Sequence, residues 1–103
     1  MDALEMVLLL DHYGGMLTEK QRSCFDMRYN QDLSLGEIAA EMGISRQGVH
    51  DIIKRCHVLL EGYEDRLGLV KRFLDIRLRI SKIRVCGSLK EAQALAEEIL
   101  DIL

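Results

Sequence analysis

The sequence predicts an all-α fold built on a helix-turn-helix over residues 35–55. Three observations predict it. Proline is absent and aromatic residues make up only 5% of the chain, which suits uninterrupted helices and not strands. Apolar residues recur at three- and four-residue spacing along most of the 103 residues. Helix start and stop signals then punctuate that pattern at regular intervals.

The first helix is expected over 2–13, with Leu4, Val7, Leu8 and Leu10 as its apolar face. Gly14-Gly15 ends it. Thr18 and Gln21 form a capping box that opens a second helix over 19–29. Leu17 has no apolar staple partner at Arg22 or Ser23, so it should pack elsewhere. Asn30-Gln31-Asp32 is the next break. Ser34 with Glu37 is a second capping box and opens a short helix over 35–42. Gly43 follows it, and Ser45 caps a longer helix from residue 46 to 60 or beyond. Gly62 and Gly68 weaken the pattern without ending it. A basic amphipathic helix follows over 66–86, with Val70, Phe73, Leu74, Arg77, Leu78 and Ile80 along its apolar stripe. Gly87 breaks it. Ser88 with Glu91 reads as a third capping box for a last helix over 89–103, which carries Ala92, Leu95, Ala96, Ile99, Leu100 and Leu103. The length suits a single helical domain over 1–103.

Within 35–55, Ile38, Ala39 and Met42 should face inward from the first helix of the motif. Ala39 lets two helices approach closely, and Gly43 permits the tight turn between them. Ile44 plugs the turn, and Val49, Ile52 and Ile53 hold the second helix from below. An ordinary helical hairpin is the alternative. Ala39 and Gly43 at this separation favour the helix-turn-helix over it.

The outward face follows from the inward one. Ser45, Arg46, Gln47, His50 and Lys54 form the candidate nucleic-acid-binding set. Arg46 and Gln47 sit at the helix start, the end that enters the major groove in such motifs. Arginine can pair with guanine and glutamine with adenine. Asp51 is acidic on the same face, and Gly48 weakens the first turn by roughly 1 kcal/mol relative to alanine.

Net charge is −3, unfavourable for a binder of phosphate, but the charge is unevenly placed. Residues 1–70 carry net −5, residues 71–84 net +5 and residues 85–103 net −3. The basic run is Lys71, Arg72, Arg77, Arg79, Lys82 and Arg84. Two readings stay open for it: a contact with RNA or an acidic protein, or charge balance against the rest of the chain or a partner subunit.

Other chemistry finds no support. Cys24, Cys56 and Cys86 fit neither a zinc pattern nor a disulfide frame, and read as free thiols packed as small apolar groups. His12, His50 and His57 make no metal set with them. Gly14-Gly15 lacks the lysine and hydroxyl residue of a phosphate loop. We therefore expect no catalytic residues, no metal and no cofactor. No secretory pattern and no stretch of about 20 apolar residues appears, so a cytoplasmic protein without a membrane partner is expected.

Two resemblances rest on particular residues. Residues 17–55 resemble sigma-factor region 4 through Leu17-Thr18-Glu19-Lys20-Gln21-Arg22, Leu33-Ser34-Leu35-Gly36-Glu37-Ile38-Ala39 and Gly43-Ile44-Ser45-Arg46. With LLLDHYGGMLTEKQR before them and LLEGYEDRLGL after, residues 4–74 look like the YlxM-type helix-turn-helix proteins of Gram-positive bacteria, which are encoded beside the signal recognition particle GTPase. The resemblance implies a sigma-region-4-like helical fold with added C-terminal helices. It also implies a DNA-binding regulator linked to the signal recognition particle pathway. Gly48 departs from the larger residue usual in such recognition helices. The alternative is an accessory protein that binds the particle's RNA or GTPase, with the motif as scaffold. The amphipathic last helix, and the habit of such motifs to work in pairs, lead us to expect a homodimer.

Overall fold

The computed structural model describes residues 3–103. The described residues form six α-helices and no strand: α1 (Ala3–Tyr13), α2 (Glu19–Tyr29), α3 (Leu35–Met42), α4 (Arg46–Leu67), α5 (Leu69–Val85) and α6 (Leu89–Ile102). A 3₁₀ turn at Gly14–Met16 joins α1 to α2. The all-α expectation is met. Contacts group the chain into two compact units, one ending at Leu67 and one spanning Gly68–Leu103.

The first unit packs α1 to α4 around one core. Tyr13, Phe25, Met6, Ile38, Leu60, Val49, Cys24 and Cys56 are its largest fully buried side chains. On α1 the buried residues are Met6, Leu9, Leu10 and Tyr13, whereas Leu4 is 66% exposed. Of the expected face, Leu10 is buried and Val7 and Leu8 are half-buried, so the inward side is rotated away from Leu4 toward Met6 and Leu9. Residues 6–10 are apolar on every side, so spacing alone could not choose the inward direction. The expected start at Asp2 lies outside the described residues. Tyr13 reaches α4, where its hydroxyl donates to Glu64 Oε1 at 2.5 Å and its ring lies 6.0 Å from that of Tyr63. Leu17 is buried, as its lack of a staple partner required.

The helix starts follow their caps. Gln21 N donates to Thr18 Oγ1, and Thr18 N donates back to Gln21 Oε1. Ser34 and Glu37 repeat the arrangement at α3. Between α2 and α3, Asp32 takes a left-handed conformation at φ 56°, and Arg28 Nη1 ties the connection by donating to Leu33 O at 3.1 Å. α4 runs through Gly62 to Leu67, further than the expected minimum, and Gly68 at φ 62° ends it.

The second unit is a helical hairpin, α5 against α6, turned at Cys86–Ser88. Ser88 Oγ accepts from Glu91 N at 3.1 Å, but only this half of the expected capping box forms. The hairpin also corrects the expected stripes. Phe73, Leu74, Leu78 and Ile80 are exposed, while Ile76 and Ile83 are half-buried. On α6 the half-buried residues are Ala92, Leu95, Ile99 and Ile102; Leu100 and Leu103 are 70% and 82% exposed.

Candidate nucleic-acid interface

The site is the start of α4, and α3 sets its direction. Ile38 and Ala39 are buried, with Met42 half-buried beside them. Gly43 ends α3 at φ 68°, in the left-handed region that favours glycine. Both Gly43 N and Ile44 N donate to Ala39 O, which closes the turn. Val49 and Ile53 enter the same core as Cys24, Ile38 and Ala39, with Ile44 and Ile52 packed at its edge. Each apolar position assigned to the motif thus packs inward.

The polar positions point the other way. Ser45, Arg46, Gln47, His50, Asp51 and Lys54 are all exposed. Ser45 Oγ accepts from Gly48 N at 3.0 Å and so caps the helix. A Cβ at position 48 would stand 3.2 Å from Ser45 Oγ, a tight contact that glycine avoids. Gly48 therefore has a local reason beyond its effect on propensity.

Two features of this face were not anticipated from the sequence. Asp51 gathers its neighbours: Gln47 Nε2 donates to Asp51 Oδ1 at 2.9 Å, and His50 Nδ1 lies 3.6 Å from the same oxygen. Two of the five candidate residues are thus turned toward one carboxylate. Arg46 folds back toward α3. A Cβ at Gly36 would stand 3.0 Å from Nε and Nη2 of Arg46, so the bare glycine makes room for the guanidinium. The i, i+4 spacing of Gln47 and Asp51 could have signalled the first feature. Nothing local signals the second, because it joins two helices.

The basic run lies elsewhere, on α5, and divides between two sides: Lys71, Arg72, Arg79 and Lys82 fall within an arc of about 100°, and Arg77 and Arg84 lie opposite them. Arg79 bridges Asp75 at 3.0 Å and Glu98 at 3.2 Å.

The remaining titratable groups serve packing. Tyr29 Oη and His57 Nε2 are 2.7 Å apart, and both rings pack on Phe25. Burial holds the His57 pKa below its ordinary value, and nearby Glu61 offsets part of that shift. Burial, with Cys24 close by, raises the Cys56 thiol to about 11, so it stays protonated and inert. His12 Nδ1 is 2.8 Å from Leu8 O. The three histidines occupy three separate places.

Residues 1–100 match the family described as UPF0122, "Putative helix-turn-helix protein, YlxM / p13 like". The chain belongs to this family. Among its relatives, the UPF0122 protein of Thermoanaerobacter sp. strain X514 is 46% identical over 102 residues, covering 99% of this chain and 87% of the relative. That of Caldanaerobacter subterraneus subsp. tengcongensis is 52% identical over 85 residues, or 82% and 73% of the two chains. That of Bacillus mycoides is 42% identical over 98 residues, or 95% and 87%. The UPF0122 match extends past residue 74, where the sequence resemblance ended, and takes in most of the hairpin. Among the described residues, no helix is long and apolar enough to cross a membrane.

Proposed function

We propose that the protein is a non-enzymatic regulator that binds duplex DNA through the start of α4. One observation carries this reading. The first turns of α4 leave Ser45, Arg46, Gln47, His50 and Lys54 exposed, with the Arg46 guanidinium resting over Gly36, while Val49 and Ile53 anchor the helix on α3. A helix held this way can enter a major groove with its N-terminal side chains leading. Arg46 and Lys54 supply positive charge for phosphate or guanine, and the capped helix start favours an anion. Asp51 opposes binding by its charge and by occupying Gln47.

Fluorescence anisotropy with a labelled duplex at low salt tests the proposal. Affinity should fall steeply as salt rises. Arg46→Ala and Lys54→Ala should each weaken binding, and Asp51→Ala should strengthen it by releasing Gln47. Absence of duplex binding at low salt would sink the reading.

The other reading has less support. An accessory of the signal recognition particle acting through the basic segment would need those charges on one surface. Two of the six, Arg77 and Arg84, lie opposite the other four on α5, and among those four Arg79 is engaged by two carboxylates.

A further inference from the structure

The α5–α6 hairpin leaves half of an apolar face open. On α6, Ala92, Leu95, Ile99 and Ile102 are half-buried, and Leu89, Ala96, Leu100 and Leu103 are exposed. At 3.6 residues per turn these are neighbouring halves of one apolar arc about 160° wide. Only the first half meets α5. On α5, Ile76 and Ile83 are half-buried and Ile80, beside them, is 54% exposed. The helices run antiparallel, and each exposed set is displaced about 90° from the seam in its own helix's turning sense. Opposite running directions bring both sets to the same side of the hairpin. There, Phe73, Ile76, Arg77, Ile80, Ser81 and Arg84 line a shallow groove.

Charge borders this face unequally. Arg77 and Arg84 follow the apolar residues on the α5 edge; on the α6 edge Glu97 and Asp101 follow them, with Lys90 on the same edge at the turn end of the hairpin. The Arg79–Glu98 bridge sets the register and places Glu97 and Asp101 about one turn apart, on either side of the level of Arg77.

We propose that this face is an isologous interface with a second copy of the chain, forming an antiparallel four-helix bundle of two hairpins. The charge pattern selects the symmetry. A two-fold axis parallel to the helices lays α5 of one copy on α6 of its partner. Arg77 then faces the Glu97–Asp101 side twice, once in each direction, while Arg84 reaches the turn end of the partner's α6, where Lys90 stands. The same axis also brings Leu100 to the level of the partner's groove. An axis across the helices would instead set α5 on α5 and like charges together. Two helices of about 20–25 Å side by side present roughly 500 Å² of flat face, which as accessible area on both copies reaches about the lower range of stable interfaces. This inference is independent of whether α4 binds DNA.

Sedimentation equilibrium of the full chain up to about 100 µM reads the interface directly. The chain should be dimeric. Leu100→Glu and Ile80→Glu should raise the dimer Kd at least about tenfold, with helical circular dichroism retained. Leu78→Glu, on the far side of α5, should leave it unchanged. Arg77→Glu and Glu97→Arg should each weaken association several-fold, and the two together should restore it. A monomer throughout that range overturns the proposal. So does dissociation by Leu78→Glu in place of Leu100→Glu. Failure of the double charge swap to restore the dimer overturns the parallel-axis arrangement.

Discussion

The two units of the chain are both helical but differ in what holds them. The first encloses Tyr13, Phe25, Met6 and Leu60 completely, and ties its helices with side-chain bonds such as Tyr13 to Glu64. The second buries no residue of α6 and one, Val70, of α5. Helix propensity and caps suffice to draw both units, but only the first has a core that fixes its helices. A two-helix hairpin of this length is marginal in water unless something covers its apolar side.

The largest test of this contrast is a pair of truncations. Phe25→Ala should cost about 3–5 kcal/mol in urea unfolding, because it empties the centre of the first unit. Leu78→Ala should change stability by less than about 0.5 kcal/mol. A comparable loss at both sites would break the contrast. Hydrogen exchange sharpens it further: α5 and α6 amides should exchange faster than those of α2 and α4 in dilute solution, and gain protection as protein concentration rises.

Backbone demands come next in size. Gly43→Ala forces a Cβ into a left-handed conformation and should cost about 1–2 kcal/mol by thermal unfolding. Caps follow. Ser34→Ala removes one half of a reciprocal pair and should cost about 1 kcal/mol; Ser88→Ala, where only one bond forms, should cost less.

The smallest effect is a pH dependence confined to the first unit. Burial depresses the His57 pKa, so the unfolded chain binds a proton more readily than the folded one. Stability from neutral His57 is full above the ordinary value of 6.5 and declines as pH falls through it toward the depressed folded value. Melting temperature should therefore drop between about pH 7.5 and 5.5, and His57→Gln should flatten that drop.

Much of this was readable from residues three apart. Thr18 with Gln21 and Ser34 with Glu37 mark helix starts because the bonds they make are local. Gly43 marks a turn because few other residues accept its φ. What escaped the sequence depends on distance or on direction. Residues 6–10 are apolar all round, so no period could orient α1. The apolar face of α6 was legible from its spacing, but that spacing could not say that α5 covers only half of it. On the candidate interface the outward residues were legible. The seat of Arg46 over Gly36 was not, since it joins residues from two helices.

The three cysteines carry a practical consequence. Cys24 and Cys56 are sealed in the first unit, and Cys86 is half-buried at the hairpin turn. A thiol reagent added to the native protein should label once quickly, at Cys86, and twice more only at the rate at which the first unit opens. The chain thus contains its own clock for the opening of the first unit, with no fluorophore or engineered probe required.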